Sequence, residues 1–252
     1  RTLGGLARRA TVLKTWREEH NALAVAGAYE LSRPGNKASD STLSTFGRIF
    51  AHFDYDVGVL SSNEVDQLRA TSPKAKTNDP IPPGWLQFSD KPQTTVLIHQ
   101  GLRIGFIVFP RLKYDQAFQD GGYDQIPGLP EAVQSLKDSC DLTIGLSPWG
   151  WNQEQGFLNS DVPAPAILLG SGSGPAVLGK LANNGHTVWM RPYSMGRALN
   201  AITIPNPQDM DWANGWQIEE NIHLEFLVLD DTVPEDFDIQ DLLTSGSRQD
   251  AL

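Results

Sequence analysis

Five histidines and one cysteine are the side chains in this chain best suited to hold a transition metal. The histidines are His20, His52, His99, His186 and His223, and the cysteine is Cys140. None of the histidines has ligand spacing to another, and a lone cysteine excludes an internal disulfide and a cysteine-based zinc site. The spacing therefore predicts surface or structural histidines and a buried structural thiol, and we expect no metal and no other cofactor.

A near match to a phosphate-binding loop lies at 174–180, where the sequence reads GPAVLGK after an apolar segment. Such a loop cradles phosphates with backbone N–H groups, and a hydroxyl after the lysine holds the magnesium ion. Here Pro175 removes an N–H donor, and Leu181 stands where the hydroxyl is needed. We therefore interpret this segment as a turn followed by a helix over Val177–Ala182 that packs against a sheet.

Serine nucleophiles and tryptophans are the remaining candidates for a site. Ser173 has Ser171 two residues before it instead of glycine, so the G-x-S-x-G pattern of a nucleophile elbow is not met. The tryptophans in loops or polar stretches are Trp149, Trp151, Trp212 and Trp216. Large aromatic side chains serve either as buried anchors or as hot spots at an interface. Packing within the fold is favoured, and the four also form a candidate protein interface.

Composition limits the partners that the protein can have. The 252 residues are 40% apolar and carry a formal net charge of -10, with acidic side chains concentrated toward the C-terminus. This balance repels nucleic acid and anionic membrane surfaces. The longest apolar run, 104–110, is far shorter than the roughly 20 residues of a membrane helix. We therefore expect no nucleic-acid binding and no membrane span.

The elements that must position any site follow from the spacing of apolar residues. The pattern predicts helices over 3–19, 41–53, 63–70, 129–137 and 235–243, and strands over 22–26, 56–60, 94–99, 103–109, 142–146, 166–169, 186–191, 198–204 and 222–229. Residues 73–92 read as a surface loop. The alternation of strands and helices predicts a mixed or parallel sheet, and ligands in such folds bind beyond the carboxyl ends of the strands.

Six short segments, taken in order, carry a resemblance to one family. They are 4–9 (GGLARR), 53–57 (FDYDV), 101–107 (GLRIGFI), 140–147 (CDLTIGLS), 195–199 (MGRAL) and 233–236 (VPED). Together they resemble the N-terminal domain of bacterial 5'-nucleotidases, which are calcineurin-like metallophosphoesterases. The resemblance implies an α/β fold, a four-layer α/β/β/α metallophosphoesterase-like sandwich with two mixed sheets.

The resemblance also implies a domain division. Residues 1–230 would form the metallophosphoesterase-like domain, and 231–252 an acidic C-terminal linker helix and tail. The family's opening strand would precede Arg1, so either further residues supply it or the sheet is rearranged. The family's second, nucleotide-binding domain would follow Leu252, and we expect this chain to lack it.

By the same resemblance, two metal ions would be held by carboxylate and imidazole side chains and would activate a water molecule. The positions that the resemblance assigns to these ligands are Ala28, Asn63, Glu64, Pro148, Gly172 and Gly174. Asparagine survives at 63, but alanine, proline and glycine offer no side-chain donor to a metal. We therefore expect a degenerate metal site and no catalytic residues.

The leading hypothesis is a catalytically inactive domain, a pseudoenzyme that acts as a scaffold or interaction subunit and docks a protein partner. One alternative is a divergent metal-dependent phosphoesterase with a single metal held by Asn63, Glu64 and upstream residues. The other is a small-ligand protein that takes an anion or nucleotide around 170–174. Analogy with exported relatives predicts a periplasmic or secreted location.

Overall fold

The computed structural model describes residues 4–30, 40–71, 81, 84–112, 122–193, 196–209 and 214–249 of the chain. Trp212, one of the four candidate interface tryptophans, lies outside the described residues, as does half of the predicted loop 73–92.

Helices and strands alternate along the described chain. The helices are α1 Leu6–His20, α2 Asp40–Phe53, α3 Ser62–Thr71, α4 Leu129–Ser139, α5 Trp151–Leu158 and α6 Phe237–Gln249. The strands are β1 Val25–Ala26, β2 Val57–Leu60, β3 Trp85–Gln87, β4 Gln93–His99, β5 Leu102–Val108, β6 Leu142–Ser147, β7 Ile167–Gly170, β8 Val177–Ala182, β9 Thr187–Arg191, β10 Ala198–Thr203 and β11 His223–Val228. None of the helices in this part of the chain combines the length and hydropathy needed to cross a bilayer.

The chain divides into two compact units. Unit 1 comprises Arg1–Gln87, Met195–Leu199 and Leu227–Leu252, and unit 2 comprises Phe88–Ser194 and Asn200–Phe226. Strands β10 and β11 form a two-stranded sheet, and each crosses the boundary between the units. The predicted division at residue 230 stays a prediction.

Unit 1 is built on a three-stranded parallel sheet in the order β1-β2-β3. Every residue of the central strand β2 is buried, as expected when both faces of a parallel sheet are covered. Helices α1, α2 and α6 pack against one another. The core combines aliphatic residues with a cluster of edge-to-face aromatic rings formed by Phe50, Phe53, Tyr55 and Trp85.

Unit 2 is built on a six-stranded mixed sheet in the order β4-β5-β6-β7-β9-β8. The four inner strands are parallel, and β4 and β8 flank them as antiparallel edge strands. Helix α4 packs on β5 and β6. Because β6, β7 and β9 are parallel, their carboxyl ends meet at one edge, which is where a site is expected in such sheets.

The sequence predictions and the structure agree on the fold class, which is mixed α/β with several sheets. The predicted helix over Val177–Ala182 is wrong, because this segment is strand β8 and pairs with β9. Its Gly179 has a φ of +121°, which no right-handed helix accommodates. Two elements were missed: β3, inside the predicted loop, and α5, directly after Gly150.

Candidate functional site at the carboxyl ends of the strands

The carboxyl edge of the sheet in unit 2 is formed by three strand ends. Ser147 ends β6, Gly170 ends β7 and Arg191 ends β9, and Ser147 lies in register with Gly170. The loop 171–175 follows β7 at this edge. It is fixed to β6 because the Ser171 N–H donates to the Ser147 carbonyl at 2.8 Å.

A buried ion pair lies at this edge. Glu154, in α5, accepts hydrogen bonds at Oε2 from Nη1 of Arg191 at 2.5 Å and from the indole Nε1 of Trp189 at 2.9 Å. The Glu154 side chain is fully buried, and that of Arg191 is 2% exposed. Neither charge is in contact with solvent, so each depends on the other for compensation.

The remaining N–H groups of the Arg191 guanidinium bind the backbone of the loop 171–175. Nη1 donates to the carbonyl of Ser171, Nη2 to those of Gly172 and Ser173, and Nε to that of Pro175, all at 3.0–3.1 Å. A guanidinium has five N–H groups, and here each of them has an acceptor. Arg191 is therefore the cation around which this loop is arranged.

Burial raises the pKa of the Glu154 carboxyl above its ordinary value. The positive charge of Arg191, with hydrogen bonds from Trp189 and Ser147, opposes this shift by favouring the ionised form. The carboxylate therefore depends on a specific set of neighbours to remain ionised.

The three positions that the family resemblance assigned to histidine ligands in unit 2 are poorly suited to a histidine side chain. Pro148 is buried. Gly172 has a φ of +81°, and a Cβ there would lie 2.8 Å from the carbonyl oxygen of Pro148. Gly174 has a φ of +115°, and a Cβ there would lie 2.4 Å from the Cβ of Trp151. The residues present offer no metal donor, and the backbone leaves no room for a side chain at either glycine. This part of the site does not fit a metal pair.

The candidate interface tryptophans have different environments. Trp149 packs on the rings of Phe109, Tyr123 and Phe157, and its indole N–H donates to the Pro110 carbonyl at 2.5 Å. It keeps partial exposure.

Trp151 is also partly exposed, and its ring lies 6.2 Å from that of Trp189. Trp216 is only 3% exposed and donates to the Ala166 carbonyl, which leaves almost none of its surface for a partner. The interface role of the set stays a prediction.

In unit 1, the position assigned to a metal-binding aspartate is Ala28, which follows β1 and is buried. The nearest carboxylate along the chain is Glu30, which pairs with Nη1 of Arg9 at 2.6 Å. Nη1 of Arg9 also donates to the Tyr55 hydroxyl at 3.4 Å, and the guanidinium lies 5.8 Å from the centre of the Phe53 ring. The carboxylate is thus already paired with a cation of the protein.

This cluster perturbs the pKa values of its members. Burial raises the pKa of Tyr55 to about 12, although Arg9 opposes the shift. Burial alone would lower the pKa of Arg9, but Glu30 and Tyr55 outweigh it and raise that pKa. The arginine is therefore charged, and the tyrosine is neutral at physiological pH.

The remaining assigned positions, Asn63 and Glu64, belong to the start of α3. Oε2 of Glu64 accepts from the Ser61 N–H and hydroxyl, both at 2.7 Å, and the Glu64 N–H donates to the Ser61 hydroxyl at 3.2 Å. This reciprocal arrangement is a capping box. Glu64 is fully buried, while Asn63 is exposed. The carboxylate serves the helix terminus.

Arg8 and Arg9 of α1 are both buried, although arginine side chains usually face solvent. Arg8 pairs with Glu235 at 3.1 Å, and Arg9 with Glu30. The charges are tolerated because each has a carboxylate partner brought from elsewhere in the chain. Glu154 and Arg191 were missed as site residues, and the only available signal was an arginine closing the apolar strand β9.

Comparison with known proteins identifies the fold. The chain is similar to the 5'-nucleotidase precursor of Thermus thermophilus, with 14% identity and a TM-score of 0.63 over 98% of this chain and 53% of the other. It is similar to the NAD nucleotidase of Haemophilus influenzae, with 11% identity and a TM-score of 0.66 over 98% of this chain and 54% of the other. It is also similar to the 5'-nucleotidase of Candida albicans, with 10% identity and a TM-score of 0.60 over 97% of this chain and 54% of the other.

These likenesses show that the chain has the fold of about half of each of these solved nucleotidases, as the sequence resemblance implied. The chain spans about half the length of these structures. No family model matches the sequence. No curated protein matches it either.

Proposed function

We propose that this chain is a non-catalytic domain of metallophosphoesterase fold, which acts as a scaffold or interaction subunit in a larger protein complex. The fold is that of solved nucleotidases. The carboxyl edge of the sheet in unit 2 supports a non-catalytic use of this fold.

The observation that carries the proposal is the state of the loop 171–175. Its carbonyls face the guanidinium of Arg191, and its two glycines leave no space for histidine side chains. A divalent cation needs side-chain oxygen or nitrogen atoms that are free to coordinate it. At this edge the described carboxylate, Glu154, is already bound by Arg191 and Trp189. The arrangement favours a stable structural edge over a hydrolytic centre.

The alternative of a divergent phosphoesterase required Glu64 as a metal ligand. Both the burial of this side chain and its role in the capping box disfavour that use. The alternative of an anion or nucleotide site at 170–174 draws no support from a loop whose carbonyl oxygens are turned toward an internal cation. We therefore retain neither as a second function.

The interaction role rests on the exposed part of the tryptophans. Trp149 and Trp151 lie close together in the chain and keep partial exposure, and aromatic side chains of this kind are enriched at interface hot spots. The net charge of -10 favours a protein partner over a nucleic acid. By analogy with the nucleotidases we propose an extracytoplasmic location for this complex.

A hydrolase assay tests the absence of catalysis. The purified chain is incubated with nucleoside monophosphates, NAD and a chromogenic phosphate ester, in the presence of Mn²⁺, Zn²⁺, Co²⁺ or Mg²⁺. We expect no turnover above the buffer rate. Metal-dependent turnover that is lost in Asn63→Ala, while a surface variant such as Lys180→Ala retains it, would show that the proposal is wrong.

The interaction role is tested by native mass measurement of the complex recovered from its source cells. We expect a mass above the 27.7 kDa of the chain. Trp151→Ala should release the partner without unfolding the domain, as judged by its thermal unfolding. The matched variant Phe237→Ser, at an exposed aromatic residue in unit 1, should leave the complex intact. A monomeric chain, or a complex unaffected by Trp151→Ala, would contradict the assignment.

A further inference from the structure

One group of potential metal ligands lies in unit 1, outside the loops discussed above. The group consists of His52, in the last turn of α2, Asp236, directly before α6, and Asp238, in the first turn of α6. One ligand atom from each residue lies within 4.8 Å of those of the other two. Among the described residues, no other group of three or more His, Cys, Asp or Glu side chains meets this distance criterion.

The positions of two of these side chains are set by the core. Phe53, beside His52, is 3% exposed, and Ile239, beside Asp238, is fully buried in the same hydrophobic cluster. The packing of α2 against α6 brings the polar neighbours of these two residues to the surface at the same place. The two segments lie far apart in the sequence, so only the tertiary structure creates the group.

Asp236 is held in place by the end of α6. Its Oδ1 accepts from the Ile239 N–H at 3.1 Å, and its own N–H donates to the Ala7 carbonyl at 3.1 Å. This N-cap bond uses one carboxylate oxygen, and the second oxygen is the one suited to an ion. The carboxylate is therefore already oriented, so less side-chain entropy is lost when an ion binds.

The separation of His52 and Asp238 matches that of two ligands on one small ion. Nε2 of His52 lies 3.6 Å from Oδ2 of Asp238. Zinc bonds of about 2.0–2.2 Å to imidazole nitrogen and carboxylate oxygen at a tetrahedral angle place the two donor atoms roughly 3.4 Å apart. The pair is thus close to coordinating geometry before any ion is added.

We propose that His52, Asp236 and Asp238 form a surface binding site for one divalent transition-metal ion, with Zn²⁺ as its preferred occupant. One imidazole and two carboxylates are a nitrogen and oxygen ligand set, which suits Zn²⁺ better than Mg²⁺ or Ca²⁺. Three protein ligands leave a fourth position for water or a ligand atom of another molecule. The two carboxylates carry a negative charge that a divalent ion neutralises.

The test is a calorimetric titration of the metal-stripped chain with Zn²⁺, followed by elemental analysis of the desalted protein. We expect one ion per chain. His52→Gln and Asp238→Asn should each weaken binding at least about tenfold, because the loss of even a hydrogen-bond partner behind a metal ligand typically costs about 10–100-fold in affinity. Asp236→Asn should weaken it as well while preserving the helix cap, because asparagine caps a helix as well as aspartate does.

The matched control is His20→Gln. His20 is also an exposed histidine of unit 1, and it lies 3.9 Å from a carboxylate oxygen of Glu19. It should leave the affinity for Zn²⁺ unchanged. Weak binding without saturation, or equal affinity in His52→Gln, would overturn the site in favour of a purely capping role for Asp236 and an ion pair between His52 and Asp238. Thermal unfolding of each variant without metal shows that the fold is intact.

Failure of this site and failure of the proposed function give different results. If phosphate-ester hydrolysis is absent from both the wild-type chain and His52→Gln, the domain is non-catalytic, whether or not Zn²⁺ binds. If hydrolysis is present and survives in His52→Gln, the proposed function fails while the surface site stands on its own titration.

Discussion

The two units of this protein each contain an arginine–glutamate pair near the end of a parallel strand, but the surroundings of the pairs differ. In unit 1, Arg9 and Glu30 are 2.6 Å apart, and Arg9 also contacts the aromatic residues Tyr55 and Phe53. In unit 2, Arg191 and Glu154 are 2.5 Å apart, and the other N–H groups of Arg191 bind backbone carbonyls. The arginine of unit 1 thus contacts aromatic side chains, and the arginine of unit 2 donates hydrogen bonds to the backbone of a loop.

The difference in burial decides what each pair contributes. The Glu30 side chain is 23% exposed, so water can solvate it if its partner is removed. Glu154 is fully buried, and the loss of Arg191 would leave a carboxylate and the carbonyls of the loop without their donor. Breaking a buried pair by removing one partner is far more destabilising than breaking an exposed one. A buried arginine that binds a loop is therefore an organising element of its fold.

Arg191→Met should have the largest effect. We expect a loss of about 3–5 kcal/mol in the free energy of unfolding, because Glu154 stays buried without a counter-charge. Urea denaturation monitored by tryptophan fluorescence measures this loss. Hydrogen exchange should show faster exchange of the amides at 171–174 in the folded variant.

Two further variants sharpen this comparison. Arg9→Met should lower the free energy of unfolding by about 1.5–3 kcal/mol, the value of hydrogen bonds to a charged group. The double variant Arg191→Met with Glu154→Met should recover part of the loss, because it leaves no unpaired buried charge. Equal losses in Arg191→Met and Arg9→Met would contradict the difference that we assign to burial.

Gly174→His would restore a family ligand and should destabilise the protein by about 1–3 kcal/mol through backbone strain at a positive φ. Overlap with Trp151 adds to this loss, since the new Cβ would lie 2.4 Å from that of the tryptophan. The measurement is thermal unfolding with and without Zn²⁺. Gly185→Ala is the control, because it also has a positive φ but no atom within 4 Å of a new Cβ. A Gly174→His variant as stable as Gly185→Ala would show that the loop can accommodate a side chain at this position, which contradicts the steric argument.

Tyr55→Phe should have the smallest effect at neutral pH, about 0.5–1.5 kcal/mol, because the hydrogen bond that it loses with Arg9 is long, at 3.4 Å. Its effect on the pH dependence is more specific. The pKa of Tyr55 is raised in the fold from its ordinary value of 10.0 to about 12, so the folded state binds its proton more tightly. The resulting stabilisation is fully present below the unfolded pKa of about 10 and is lost as the pH rises through the folded pKa of about 12.

Urea unfolding between about pH 9 and pH 12, the interval that brackets the two pKa values of the tyrosine, tests this expectation. The wild-type chain should lose stability more steeply over this interval than Tyr55→Phe. Tyr193→Phe, at a half-exposed ring, should follow the wild-type profile. If the profiles of the wild type and Tyr55→Phe coincide, the pKa of Tyr55 is not raised in the folded protein.

Much of the fold could be predicted from the sequence, because most elements have apolar residues at a clear period. The hairpin around Gln100 and the helices α2 and α4 are cases in which the local pattern and the structure agree. Strand β8 could not be predicted, because the apolar residues of this short segment fit both the helical and the strand period. Its pairing with β9 in the folded protein makes it a strand. Helix α5 is short and shows no strong apolar face along its sequence, and it is formed by packing at the sheet edge.

The sequence by itself determined which chemistry the ligand positions lack, since alanine, proline and glycine supply no donor whatever their surroundings. Only the tertiary structure decided what takes the place of that chemistry. Arg191 and Glu154 are 37 residues apart, and His52 is far from Asp238 along the chain. Side chains so distant in sequence meet only because strands and helices pack, and burial then fixes how strongly their charges interact.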